Sequence, residues 1–190
     1  MNSIEDTSVV SFTTGSDRRD MILRALEPLR EQIREGIRGK QALIKSNLVG
    51  PDPLCAAHVD AVRAVLEFLK SLDRRRMLVG DSTGRVYPGP VGTRRHFEIH
   101  GYRDLPNEHR VKLVELNDYP VETCWILDAD TRPRPVNIIE TFLDPDFYLI
   151  SLTRPKTHGD AIATLSVKNL VMGSPVNHYR QPKAEGRNEK

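Results

Sequence analysis

The feature that most constrains this chain is a pair of short apolar runs separated by a single helical stripe. Ala42-Leu43-Ile44-Lys45-Ser46-Asn47-Leu48-Val49 starts apolar, turns polar near its exit and is stopped by Gly50-Pro51-Asp52-Pro53, the pattern of a largely buried strand. From His58 to Leu72 the residues Val59, Val62, Val65, Leu66 and Leu69 recur at spacings of three and four, which predicts an amphipathic helix. Met77-Leu78-Val79-Gly80-Asp81-Ser82 then reads as a second strand. Strand, helix, strand is the unit that builds a parallel sheet, because parallel neighbours need a crossover rather than a tight turn.

The same logic extends along the chain. Val111 to Leu116 and Phe147 to Leu152 read as further parallel strands, the former leaving at Asn117-Asp118. Thr7 to Phe12 suggests a short strand. Asp17 caps a helix whose stripe runs through Met21, Ile22, Ala25, Leu26, Leu29, Ile33 and Ile37, broken near Glu27 by Pro28 and ended by Gly36 and Gly39. A helix over Thr93 to His100 closes at Gly101. Cys124-Trp125-Ile126-Leu127 and Pro135-Val136-Asn137-Ile138-Ile139 flank a polar turn, which predicts a hairpin inserted between Val121 and Thr141. Thr153 to Asp160 reads as an exit loop before a helix over Ala161 to Met172. The expectation is therefore an α/β fold of three layers, a mainly parallel sheet with helices on both faces and an inserted β-hairpin. It forms one domain over residues 1–179, incomplete or truncated at its C-terminal end, with a mobile tail from Arg180 to Lys190.

Twenty-eight basic against 26 acidic residues leave a net charge of +2, too little for the broad field that draws in nucleic acid or anionic lipid. Any anion must be bound locally. Cys55 and Cys124 lie too far apart in sequence to form a Cys-x-x-Cys pair. Acidic Met1 to Asp6 shows no signal or transit peptide, and no run is long enough to span a membrane. The expected location is the cytoplasm.

In open parallel sheets, ligands bind beyond the carboxyl ends of the strands. Four exits supply candidates: Lys45, Ser46 and Asn47; Asp81, Ser82 and Thr83; Asn117 and Asp118; and Arg154, Lys156, Thr157 and His158. The last is the densest, joining fixed cations, an imidazole and a hydroxyl. Lys168 and Asn169 follow within an otherwise apolar helix. Asp81, Lys156 and His158 are the candidates for acid–base chemistry, and histidine as a residue type titrates near neutral pH as that chemistry requires. Lys45, Asn47, Ser82, Thr157, Lys168 and Asn169 are the candidate ligand contacts. An anion would be drawn to the start of the expected helix near Ala161, bracketed by Lys156 and Lys168.

Other motifs lead nowhere. Gly80 to Gly92 lacks the spacing of a dinucleotide or phosphate-binding loop. Gly80-Asp81-Ser82-Thr83-Gly84 matches a nucleophile elbow in letters, yet Pro88 and Pro90 oppose the immediate helix an elbow needs. Cys55-Ala-Ala-His58 offers two metal ligands with nothing to complete the set, and Arg74-Arg75-Arg76 reads as a solvated turn. No metal site is expected, and the cofactor is unknown.

Lys45-Ser-Asn-Leu-Val, Gly80-Asp81-Ser82, Pro155-Lys156-Thr157-His158 and Leu165-Ser166-Val167-Lys168-Asn169-Leu170 together resemble domain-of-unknown-function family 362, over about residues 40 to 175. The resemblance brings no established reaction. It implies further elements beyond this chain's end, so an exposed apolar face is expected, and it makes a ferredoxin-type redox partner a candidate because some members carry such a module. The cysteine cluster of that module is absent, since two isolated cysteines do not hold a four-cysteine cluster. Three readings stand: an enzyme or enzyme fragment acting on a small anionic metabolite, a non-catalytic module that binds an anion or a metal ion or docks a redox protein, or an inactive truncated domain.

Overall fold

The computed structural model describes residues 8–72, 75–83, 92–159 and 162–177. Four strands, β1 (Gln41–Lys45), β2 (Met77–Asp81), β3 (Val111–Glu115) and β6 (Phe147–Ser151), form one sheet in the order β3-β2-β1-β6. Every neighbouring pair is parallel. Between β3 and β6 the chain makes an antiparallel hairpin of β4 (Val121–Leu127) and β5 (Pro133–Ile139). A second small ladder pairs β7 (Lys156–His158) with β8 (Ile162–Thr164). The helices are α1 (Arg18–Leu26), α2 (Arg30–Ile37), α3 (Val59–Leu72), α4 (Thr93–Ile99), α5 (Leu105–Glu108) and α6 (Ser166–Val171). The fold is mixed α/β, with a parallel sheet and a separate hairpin.

Period-two alternation divides the sheet residues between two cores. Ala42, Ile44, Met77, Val79 and Val111 face one core together with Val62, Val65, Leu66 and Leu69 of α3, Phe97 of α4, Tyr102 and Leu105. Helices α1 and α2 lay Ile22, Leu26 and Ile33 against it. Leu43 and Val114 face the other way and pack with Leu116, Ile139 and Val176, which Tyr119 and Phe142 flank. That second layer is thus built from the hairpin base, short 3-10 turns and the segment through Val176.

Handedness explains the division. A parallel crossover is right-handed in nearly all proteins. Moving from β1 to β2 to β3 places α3, α4 and α5 on one face, so the return from β3 to β6, in the opposite direction, must cross the other. The hairpin occupies that return path.

Local chemistry fixes the element ends. The Asp17 side chain accepts from the Asp20 backbone N–H and caps α1, and Pro28 converts the continuation into a 3-10 turn at Glu27–Leu29 before α2 resumes, the break expected of a proline without an N–H. Gly39 and Gly101 adopt left-handed φ values of 77° and 74° just beyond helix ends, a conformation that disfavours side chains with a Cβ.

Three expectations need correction. Residues 8–12 form no strand and expose Val10 and Phe12; an alternating run without a neighbouring strand has nothing to pair with. The strand expected over Ala42 to Val49 ends at Lys45, after which the chain stays buried through Leu48 but bonds irregularly, and Val49 is exposed. The helix expected from Ala161 begins only at Ser166, because Ile162–Thr164 pairs with Lys156–His158 instead. With six residues α6 provides no anion-binding helix start near Lys156, and that part of the electrostatic expectation falls. Asp160, Ala161, Arg74, the stretch from Gly84 through Pro90 and the tail from Arg180 lie outside the described residues. Among the described residues, no helix is long and apolar enough to cross a membrane.

Leu66 of α3 is fully buried in the helical core, whereas Val10 is 88% exposed. Leu66→Ala is expected to destabilise the fold by about 2–5 kcal/mol, and Val10→Ala by less than about 0.5 kcal/mol. Urea midpoints at constant slope check the pair.

Candidate functional site

The carboxyl edge of the sheet collects buried polar groups at the place where the strand order reverses. Successive connections carry β1 toward β2 and β3 on one side, while β6 sits on the other side of β1. Beyond such a switch point the loops diverge and leave a crevice.

Lys45, the last residue of β1, is 2% exposed, and Asp81, the last of β2, is 3% exposed. The Lys45 ammonium donates to Asp81 Oδ1, to the Ser46 carbonyl at 2.8 Å and to Asn169 Oδ1 at 3.3 Å. Asp81 Oδ1 also accepts from the Ser82 backbone N–H at 2.8 Å. Asp81 Oδ2 accepts from the Leu48 N–H at 2.6 Å and from Thr83 Oγ1 at 3.3 Å. A buried ion pair is tolerable only when its remaining donors and acceptors are also satisfied, and here they are. The pair ties the loop after β1 to the loop after β2.

Asn169 of α6 spans the switch point itself. Its Nδ2 donates to the Lys45 carbonyl at 3.2 Å and to Ser151 Oγ, on β6, at 3.0 Å. Its Oδ1 accepts from Asn47 Nδ2 at 3.2 Å. Gly173 follows closely, where an added Cβ would stand 2.7 Å from Lys45 Cε. Only glycine lets the end of α6 close over the lysine stem. Ser82 Oγ donates to the Gly173 carbonyl, clamping the same junction from β2.

A cavity of about 180 Å³ opens beside this network, lined by Lys45, Asn47, Asp81, Ser82, Lys168 and Gly173 among others. Lys45 and Asp81 cancel in charge. Lys168 is half-buried and makes no hydrogen bond or ion pair among the described residues. Lys156 stands nearby, its ammonium donating to Asn47 Oδ1 at 2.6 Å and to the Cys55 carbonyl. Burial pushes the Lys156 ammonium below its ordinary value, opposed by Cys55 and Asp81 and reinforced by Lys168 and Arg154. The local balance is positive.

Lys45, Asn47, Asp81, Ser82, Lys168 and Asn169 thus meet at one cavity, and Lys156 reaches it through Asn47. Thr157 and His158 do not line it. His158 is half-buried and lies two residues from Lys156 on β7, hence on the same face, while Thr157 points oppositely and is exposed. Asn117 accepts from the Asn177 N–H at 2.7 Å and donates to Glu115 at 3.0 Å, which places it at the same sheet edge.

Behind the cavity lies a polar layer that the sequence reading passed over. Thr93 donates to Glu115 from its backbone N–H at 2.9 Å and its hydroxyl at 2.8 Å. The His96 ring, 1% exposed, places Nδ1 3.3 Å from Thr83 Oγ1, and Thr83 in turn reaches Asp81. The available signal was Thr93 and His96 at helical spacing beside the buried Phe97. Burial holds the His96 imidazole below its usual value, partly offset by Asp81 and reinforced by His100.

A family model described as Domain of unknown function (DUF362) matches residues 42–188, most of the chain and every residue of the cavity. The chain belongs to the DUF362 family. Neither curated proteins nor solved structures gave a significant match. The DUF362 region therefore runs from Ala42, the second residue of β1, through α6, while α1 and α2 lie before it.

Asp81→Asn leaves a buried ammonium with no anionic partner and is expected to cost about 3–5 kcal/mol. Adding Lys45→Met should recover part of that loss, and a double-mutant cycle from denaturant unfolding measures the coupling. His96 adds a pH dependence. Its folded pKa is depressed, so the unfolded state takes up the proton more readily, and stability present above about pH 6.5 falls as the pH drops below it. His96→Gln should flatten the unfolding free energy between about pH 7 and pH 5, relative to wild type.

Proposed function

We propose that this DUF362 protein binds a small anionic metabolite at the carboxyl edge of its parallel sheet. The observation that carries the reading is Lys168, a half-buried ammonium without a partner among the described residues, lining a cavity whose other charges are already paired. A half-buried cation that faces a cavity with no counter-ion among the described residues favours a negatively charged occupant, because charge-assisted hydrogen bonds are the strong ones. At roughly 30 Å³ per water, a cavity of about 180 Å³ suits phosphate or a short carboxylate rather than a nucleotide.

On this reading the residues divide by role. Lys168 meets the anion, with Asn47 and the Ser82 loop as polar contacts. Lys45 and Asn169 position the walls, and Lys156 braces Asn47 against the Cys55 carbonyl. Should chemistry follow binding, His158 is the group to move a proton, since an imidazole can both donate and accept one and this ring shares the Lys156 face. Asp81 would act by holding Lys45, Leu48 and Thr83 in place.

One observation favours binding without catalysis. Asp81 accepts four hydrogen bonds, which fill its acceptor sites, and the Ser82 hydroxyl proton is given to the Gly173 carbonyl.

Calorimetric titration of phosphate, sulfate and short carboxylates into wild type and Lys168→Met tests the proposal at fixed salt. Loss of one charge-assisted contact of about 1.5–3 kcal/mol should weaken affinity roughly ten-fold or more. Lys70→Met, near the C-terminus of α3 and therefore toward the amino end of the strands, should change it little. Equal weakening in the two variants would reduce the signal to general surface charge. A turnover that vanishes in His158→Ala while binding survives would establish the catalytic form.

A further inference from the structure

We propose that this chain pairs with a second copy of itself along the outer edge of β4, joining two hairpins into one four-stranded antiparallel sheet. The backbone pattern of the hairpin carries the inference. Glu140 N–H donates to the Pro120 carbonyl at 2.9 Å and Asp128 N–H to the Arg132 carbonyl at 3.0 Å, bracketing a ladder in which Val121 faces Ile139 and Leu127 faces Pro133. In an antiparallel pair, hydrogen-bonded and non-hydrogen-bonded positions alternate. The even-numbered residues of β4 therefore turn their N–H and C=O groups toward β5. Val121, Thr123, Trp125 and Leu127 turn theirs away.

The two outer edges of the hairpin differ. On β5, Asn137 and Ile139 are occupied, accepting from the Val176 N–H and donating to the Ser174 carbonyl. The remaining outward positions are Pro133 and Pro135, which have no N–H to offer. Proline on an edge is a means of blocking further strand addition. On β4 no proline or lysine interrupts Val121–Leu127, and among the described residues its outward backbone groups have no partner. Trp125, Ile126 and Leu127 are 69%, 51% and 66% exposed. A two-stranded ribbon is marginal alone, and added strands stabilise it.

Charge and register select a copy of this chain as the occupant. A two-fold axis beside Cys124 sets Val121 opposite Leu127 and Thr123 opposite Trp125, so all four outward residues of each β4 are used. It sets Glu122 opposite Ile126 and Cys124 opposite its own copy. Sliding the axis to Trp125 would oppose Glu122 to Asp128, two like charges, and sliding it to Thr123 would bring in Pro120 and the turn at Tyr119. Isologous pairing needs only a self-complementary edge, and this one has a single favourable register. Seven residues at about 3.4 Å each give a strand contact only about 24 Å long, a single-strand seam of the kind that belongs with small, transient interfaces. Dissociation constants of about 1–100 µM are therefore expected.

The register supplies its own test, because Cys124 becomes a non-hydrogen-bonded pair with Cα atoms about 4.5 Å apart, within disulfide range. Sedimentation of the full chain should show a concentration-dependent dimer. In a Cys55→Ser background, oxidised glutathione should convert the two Cys124 thiols to one intermolecular disulfide, releasing two reduced glutathiones, and peptide mapping should join Cys124 to Cys124. Thr123→Pro removes an outward N–H, and Trp125→Lys keeps the strand while removing the cross-pair contact. Each should weaken the dimer ten-fold or more with an unchanged urea midpoint for the core. A monomer throughout that concentration range, no Cys124 disulfide, or a dimer unaffected by either substitution would overturn the proposal, including the case in which the edge serves a different protein or a lipid surface.

Discussion

The Lys45–Asp81 pair is the constraint around which the carboxyl edge of this sheet is arranged. Two opposite charges removed from water are tolerated only when every remaining donor and acceptor also finds a partner. Meeting that condition recruits the Leu48 and Ser82 backbone N–H groups, the Thr83 hydroxyl, the Ser46 carbonyl and the Asn169 amide. The loops after β1 and β2 and the helix α6 thus share one polar core. The energetic demands of the pair determine where the cavity wall stands. Lys168, without a partner among the described residues, is then conspicuous because its neighbours are satisfied.

Topology explains why α6, late in the chain, closes on β1, early in it. Right-handed crossovers carry the chain outward to β3 on the helical face and back to β6 across the hairpin face. That return leaves β6 beside β1, and α6, which follows β6 after the short β7–β8 ladder, reaches the Lys45 carbonyl and Ser151 together through Asn169. Lys156, on the short ladder that follows β6, reaches Asn47 and the Cys55 carbonyl on the same side. A switch-point crevice is thereby lined with groups separated by more than 100 residues in sequence.

The hairpin has two structural duties. Its base, through Ile139, covers the Leu43 and Val114 face of the sheet, while its distal half extends Trp125 and Leu127 into solvent. One edge is blunted by prolines and by the segment through Val176, and the other has no partner among the described residues. That asymmetry is a property of register, invisible until the pairing of Val121 with Ile139 is known.

The sequence by itself determined the four parallel strands, the hairpin and the helix break at Pro28, because each depends on local periodicity or on backbone chemistry that acts within a few residues. It also marked Lys45, Asn47, Asp81 and Ser82 through the rule that polar residues follow apolar strands at the exits, and Lys168 and Asn169 as polar residues within an otherwise apolar helical pattern. It misread Ile162–Thr164 as helix, since the pairing with Lys156–His158 that decides those residues is a tertiary contact. It passed over His96 and Thr93, whose polar groups point inward only because Glu115 and Thr83 stand opposite them. Strand order was likewise decided by tertiary structure, since periodicity carries no information about which strand lies beside which. The order β3-β2-β1-β6 turned scattered polar exits into one cavity, because hydrogen bonding and charge compensation act over a few ångströms of space, whatever the distance along the chain.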